Sequence, residues 1–277
     1  MVKHLPNTMK AVAGEKSLYE KMTAYLEAAE RWLEQNICEA SWISNEHGTQ
    51  LLGEAVIVNH ALYHAIPALD LVLTPNGFGI VNNQNVVPAS KERVESLRQS
   101  LRHNRDCALC NFVHALADID QEESWLNDTT QGRWFTSTLF PWIEAIDEYS
   151  DEEIGCTGSK WEKYVKLRAK IIEAEELLES KYFGTEQMAA MRIENLKPDT
   201  DIDAKMLRVI KYAKAAVRAL VRKDRGFLDQ AHRFGRYAVE TIRNNQELFT
   251  PWHESDMPEL WTPVLFENKK ENAGYFF

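Results

Sequence analysis

Apolar residues recur at helical spacing along most of the chain. Leu18, Met22, Tyr25, Ala29, Leu33 and Ile37 fall every three or four positions. They follow Ser17-Leu-Tyr-Glu20, a capping-box pattern in which Glu20 can reach back to the Ser17 amide. The periodicity breaks around Asn45 and Gly48, and a second apolar helix is predicted from about Gln50 to Ala65, ending before Pro67. The period then changes. Leu69, Leu71 and Leu73 alternate as in a strand, Pro75-Asn76-Gly77 is a tight-turn signal, and Phe78, Ile80 and Val81 can form the returning strand. Asn76, Gly77, Phe78 and Gly79 are thus read as the tip of a small β-hairpin near 69–82. A lone hairpin is marginal in water, so it needs helices or a neighbouring sheet to pack on.

Helical spacing resumes with Ser90 as N-cap and Val94, Leu97 and Leu101 on the apolar face, running to about Ala117. Residues 120–158 are mixed, with a dense aromatic run from Trp134 to Trp142 and an acidic stretch from Glu144 to Glu153. Ser159-Lys-Trp-Glu162 is a second capping box, followed by Trp161, Tyr164, Leu167, Ile171 and Leu178 at helical spacing and stopped by Gly184. Thr185 is a candidate cap for a short helix, and Pro198-Asp-Thr200 separates it from the next. Asp203 to Lys223 and Phe227 to Asn245 read as two long helices joined at Asp224-Arg225-Gly226, an αα-hairpin. The fold class expected is mainly α: a helical bundle with long αα-hairpins and one small β-hairpin. The expected organisation is an N-terminal arm (1–16), a helical region carrying the hairpin (17–155), a helical bundle (156–249) and a C-terminal extension (250–277).

Composition narrows the function. Hydrophobic residues make up 44% of the 277, enough for a buried core. A net charge of −10 argues against broad binding to a phosphate backbone, although an acidic channel would let DNA slide past. The opening segment lacks an apolar signal-peptide core, and no run approaches the roughly 20 apolar residues of a membrane span. Cys38, Cys107, Cys110 and Cys156 are expected to be reduced thiols of a cytoplasmic protein.

The candidate chemistry is sparse. His103, Cys107, Cys110 and His114 carry zinc-ligand atoms at i, i+4, i+7 and i+11. A helix rises about 16 Å over eleven residues, so one ion cannot touch both histidines, and core packing is the simpler account. Cys107 and Cys110 lack the βαβ surroundings of a redox pair. His60 and His64 at i, i+4 could clasp a metal but have no companion motif. Nucleophile-elbow, Walker and zincin motifs are absent. No catalytic residue, metal site or cofactor is therefore assigned. Lys205, Arg208, Lys211, Lys214, Arg218, Arg222, Lys223 and Arg225 place a basic face on one helix of an acidic chain, either solvated or set against an acidic neighbour or DNA. Tyr275, Phe276 and Phe277 are costly to leave in water and suit either the chain's own core or a partner.

Two segments resemble a family of uncharacterised virion structural proteins from Bacteroidetes and their phages. The stretch Leu73 to Val94 is similar to the family's glycine turn followed by a Pro-Ala-Ser helix start, and Ser159 to Gly184 is similar to its Ser-capped helix ending at Gly. Trp161 and Tyr164 depart from that second pattern. The resemblance spans roughly 18–245 and describes a scaffold without an active site. It implies a head–tail connector or adaptor of the phage neck, a homo-oligomeric ring between portal and tail proteins, assembled in the bacterial cytoplasm and free of membrane. Genomic DNA would pass through an acidic lumen. Asn76–Gly79, Arg218, Arg222 and the aromatic tail would meet neighbours. The rival expectations are a metal-dependent enzyme using the His103/Cys107/Cys110/His114 stripe, and a cytoplasmic protein-binding module using the Lys205–Arg225 face.

Overall fold

A computed structural model describes residues 18–44, 48–69, 71–74, 77–80, 90–119 and 124–261, the two strands by their backbone alone. The protein is mainly α. The first helices are α1 (Leu18–Asn36), α2 (Gln50–Leu69) and α3 (Lys91–Ala117), with a 3-10 turn at Ala40–Trp42. Between α2 and α3, β1 (Leu71–Thr74) and β2 (Gly77–Ile80) pair antiparallel, Leu71 opposite Ile80 and Thr74 opposite Gly77. Then come α4 (Trp125–Asp128), α5 (Thr130–Thr136), a 3-10 stretch at Ile143–Glu148, α6 (Asp151–Ile154) and α7 (Lys160–Leu178). A π turn at Glu179–Phe183 leads to α8 (Thr185–Glu194), α9 (Ala204–Arg222), α10 (Phe227–Arg243), α11 (Thr250–His253) and α12 (Met257–Leu260). The chain divides into two compact units, with the division inside α7 between Arg168 and Ala169.

In the first unit α2 packs on both α1 and α3. Met22, Ala29 and Leu33 of α1, Val56, Ala61 and Ala65 of α2, and Leu109, Phe112, Val113 and Leu116 of α3 are each under 2% exposed. The α1 and α3 sets recur at i+3, i+4 or i+7, but of the α3 face read from the sequence only Leu101 is buried, with Val94 half-buried and Leu97 49% exposed. Trp125 is fully buried, and its Nε1 donates to the Ile37 carbonyl at 3.1 Å, tying α4 to the residue just beyond α1. Arg168, 2% exposed, closes the aromatic run. Its Nη1 donates to Thr138 Oγ1 at 3.2 Å, its Nη2 to the Trp134 carbonyl and Ser137 Oγ, and its guanidinium lies 4.1 Å from the Trp134 ring centre. A buried cation is tolerable because it is spent on the carbonyl and hydroxyls at the C-terminal end of α5.

In the second unit α9 and α10 form an αα-hairpin. Asp203 caps α9 by accepting from the Lys205 amide at 2.8 Å, while Lys223 (φ 56°) and Gly226 (φ 78°) take left-handed conformations that turn the chain. Glu175 of α7 is fully buried and accepts from Arg192 of α8 at 3.1 and 2.9 Å. Trp252 of α11 is 1% exposed and donates to the Tyr182 carbonyl at 2.8 Å. Residues 250–261, read from sequence as an extension, thus contain two single-turn helices, and Trp252 and Met257 are buried.

Two local expectations need correction. The helix that begins at Gln50 does not stop before Pro67 but runs to Leu69, with Pro67 inside it. The missing proline donor costs one hydrogen bond in the last turn, where the next helical residues follow for only half a turn. Thr185 does not cap α8. Gly184, at φ 75°, holds the cap position, and the Thr185 hydroxyl donates instead to Glu179 at 2.9 Å.

Candidate functional site

Polar and aromatic side chains gather around open space in the first unit. A cleft of about 570 Å³ is lined by Tyr25 and Trp32 of α1, His60, Tyr63 and His64 of α2, Arg102 and Arg105 of α3, and Ser159, Trp161 and Glu162 at the start of α7. The helical spacings place them. Tyr25 and Trp32 are seven apart, His60 and His64 four apart, and Arg98, Arg102 and Arg105 four and three apart, so each set shares a helix face.

The start of α7 forms a wall held by hydrogen bonds. Ser159 N donates to Glu162 Oε2 at 2.7 Å and Glu162 N to Ser159 Oγ at 3.3 Å, the reciprocal pair expected from the capping box. The hydrogen bond from the Ser159 amide holds the Glu162 carboxyl below its ordinary range, against the opposing effect of burial. Asp106, 5% exposed, adds a second carboxylate bond, its Oδ2 accepting from the Lys160 amide at 3.0 Å. Its Oδ1 takes two bonds from Arg105, at 3.0 and 2.7 Å. The Arg102 Nη2 donates to the Thr157 carbonyl at 3.1 Å and to the Gly158 carbonyl. Two arginines of α3 therefore fix, directly or through Asp106, the segment that opens α7.

The opposite wall is aromatic. Trp32 and His60 stack with ring centres 4.6 Å apart and planes 23° off parallel, while Trp161 stands edge-on to Trp32 at 6.0 Å. His60 and His64 lie 4.6 Å apart, and the guanidinium groups of Arg98 and Arg105 sit 5.0 and 5.6 Å from the Tyr63 ring centre. Burial, reinforced by His64 and Arg105, lowers His60 to about 3, and burial followed by Arg105 lowers His64. Both imidazoles are therefore neutral at pH 7. His60 Nδ1 is buried and has no hydrogen-bond partner among the described residues.

The His103/Cys107/Cys110/His114 stripe does not converge. His103 and Cys107 are exposed, with Cys107 Sγ 3.6 Å from His103 Nε2, whereas Cys110 is buried. His114 is half-buried and pairs with Glu144 at 3.0 Å. Burial pushes the Cys38 and Cys110 thiols up to about 12. No three His, Cys, Asp or Glu side chains among the described residues could share a metal ion. Of the residues read as contacts with neighbours, Arg222 is exposed and Arg218 half-buried on α9. Gly77, Phe78 and Gly79 lie on or beside the β1–β2 pairing, described by backbone alone, and Asn76, Tyr275, Phe276 and Phe277 lie outside the described residues. No helix among the described residues is long and apolar enough to cross a membrane.

These features define a mainly helical protein whose first unit encloses an aromatic and arginine-lined cleft. Residues 16–133, less than half of the chain, match a family of unknown function (DUF6712). The match takes in α1 to α4 and the Tyr25–Arg105 walls of the cleft, but not the α7 wall. No curated protein and no solved structure matches the chain.

Among these lining residues the sequence pointed to His60 and His64 as a metal clasp, Tyr25 and Trp161 as helix-face residues, and Ser159 and Glu162 as a capping box. Trp32, Tyr63, Arg102 and Arg105 were legible only as helix-face positions. The one further local signal was the i, i+4, i+7 spacing of Arg98, Arg102 and Arg105.

Proposed function

We propose that the chain is a structural subunit of a phage virion, a head–tail connector or adaptor that forms a homo-oligomeric ring in the neck between portal and tail proteins. The observation that carries this reading is the segregation of charge. Helix α9 holds six cations and no acidic residue, in a chain whose net charge is −10. Lys205, Arg208, Lys211 and Arg222 are exposed along it. A basic strip on one face of an acidic body is complementary to the rest of a second copy, which favours a head-to-tail interface, and such an interface gives a ring when its rotation closes. The remaining acidic surface would line a lumen through which DNA slides. Asn76–Gly79 and Tyr275, Phe276 and Phe277 are the candidates for contacts with adjoining rings.

Native mass spectrometry across a concentration series tests the reading. A closed ring of one stoichiometry is expected, and Arg208→Glu with Arg222→Glu should dissolve it while leaving helix content unchanged. A strict monomer at high concentration, alone and with portal and tail partners, would overturn it.

A further inference from the structure

A second concavity of the first unit is acidic. It lies between α1 and α2 and has a volume of about 270 Å³. Leu26, Ile57 and Val58 give it an apolar floor, and Glu27, Glu30 and Glu54 stand around it. Glu54 already accepts from Gln50 Nε2 at 2.8 Å. Glu27 and Glu30 are exposed and form no ion pair among the described residues. Lys21 and Arg31 belong to the same helix but do not line the groove. Tyr19, at its edge, is 59% exposed. Carboxylates above an apolar floor suit a long side chain that ends in a cation, with its stem on the floor and its head among the oxygens.

The α9–α10 hairpin of the second unit offers such a side chain. It holds six cations on α9 and three on α10, against two carboxylates, Asp229 and Glu240, both on α10. Lys211 is committed to Asp199 at 3.1 Å. Arg208 is exposed and forms no ion pair among the described residues. Its neighbours three and four positions away on α9 are Lys205, Lys211 and Tyr212, with Ala204 at the helix start, so no carboxylate of that helix offsets its charge. Tyr212 shares its face and packs against Tyr237 of α10, ring centres 5.6 Å apart, and Tyr237 is 45% exposed. Arginine and tyrosine are the side chains that most often anchor protein interfaces.

We propose that the α1–α2 groove of one chain receives Arg208 of a second copy, with its guanidinium at Glu27 and Glu30 and the copy's Tyr237 against Tyr19. The inference rests on the ring-assembly reading and names the surface that the basic strip meets. Charge complementarity selects the occupant. The groove presents carboxylates without a lining cation, the hairpin presents an excess of cations, and every chain carries both. Because the two surfaces differ, the contact is head-to-tail: each copy inserts its arginine into one neighbour and accepts an arginine from another. The planar guanidinium fork matches carboxylate geometry, which a lysine at the same position would not.

Mixing two variants of the full chain tests it, with species read by native mass spectrometry and sedimentation. Glu27→Arg with Glu30→Arg spoils the groove, and Arg208→Ala removes its occupant. Each variant alone should self-associate at least about tenfold more weakly than wild type, with an unchanged circular dichroism spectrum. An equimolar mixture should form a one-to-one dimer and nothing larger, because it contains one intact groove and one intact arginine on different chains. Glu27→Gln with Glu30→Gln, which keeps the shape of the groove, should weaken assembly in the same direction and serves if the arginine pair disturbs folding. Wild-type assembly in the folded groove variants or in Arg208→Ala would overturn the inference and leave the ring standing, as would a mixture that stays monomeric. A wild-type chain that never self-associates would overturn the ring-assembly reading and this contact with it.

Discussion

Asp106 anchors Lys160. The carboxylate of α3 accepts the first amide of α7 at 3.0 Å while its second oxygen takes two bonds from Arg105. All of this happens with Asp106 and Arg105 each only 5% exposed. A negative charge at a helix N-terminus is favourable, and here it is also paired and hydrogen-bonded, which offsets the cost of burying it.

Removing Asp106 should therefore do more than delete one contact. Asp106→Ala leaves the Arg105 guanidinium buried without its carboxylate and the Lys160 amide without its acceptor. The expected loss is about 3–5 kcal/mol, the range for breaking one side of a buried pair. Asp106→Asn retains an acceptor and should cost less. Denaturant midpoints of the three proteins check the order, and an Asp106→Ala midpoint within error of wild type would remove the anchor role.

Gly235 of α10 lies against the ring of Tyr182. A Cβ built there would stand 2.7 Å from Tyr182 Cε1 and Cζ, closer than such atoms approach. Tyr182 is 4% exposed, and its hydroxyl is hydrogen-bonded to His232 Nδ1, so the ring is held from its far end. Helix propensity alone would make Gly235→Ala stabilising. The clash should reverse that sign, with an expected loss of about 1–3 kcal/mol. In a Tyr182→Leu background the same substitution should be milder. A double-mutant cycle by denaturant unfolding measures that coupling, and a stabilised single variant would show that the ring yields.

Local features were legible in the sequence, whereas the cleft was not. The Ser159–Glu162 capping box, the Ser90 cap and the turn at Asp224–Gly226 are each written within a few consecutive residues, and each is present in the structure. Pro67 misled because a proline near a helix end forfeits little, and Thr185 because Gly184 could reach the positive φ that the cap required. The cleft draws on residues 25–32, 60–64, 102–105 and 158–162, and no local pattern reports which helix faces will meet. The cysteine–histidine stripe illustrates the converse. Its spacing suggested one common environment, yet His103 and Cys107 are exposed, Cys110 is buried and His114 is half-buried.

Acid should weaken the folded state through His60. The unfolded side chain titrates near ~6.5, whereas burial, with His64 and Arg105 beside it, holds the folded one at about 3. Glu162 opposes this only in part. Between those values the unfolded chain holds the extra proton, so stability is complete above roughly pH 6.5 and declines as pH falls toward 3. His64, lowered by burial and Arg105, contributes with the same sign. Urea unfolding at pH 7, 5.5 and 4.5 should show the decline, and His60→Gln should flatten it. An unchanged slope in the variant would assign the acid sensitivity elsewhere.

The four thiols should separate by reactivity. Cys107 is exposed on α3, Cys156 is partly exposed, and Cys38 and Cys110 are buried with their thiols pushed up to about 12. Reaction requires the thiolate and access to it, and the buried pair lacks both. An aromatic disulfide reagent at pH 8 should therefore modify Cys107 first, Cys156 more slowly, and Cys38 and Cys110 only once denaturant opens the chain. Cys107→Ser should abolish the fast phase alone. A fast phase that survives that substitution would mean that a second thiol is reachable in the folded protein. Cys156 would be the first to examine, since its Sγ lies 3.4 Å from the Gly158 amide at the rim of the cleft.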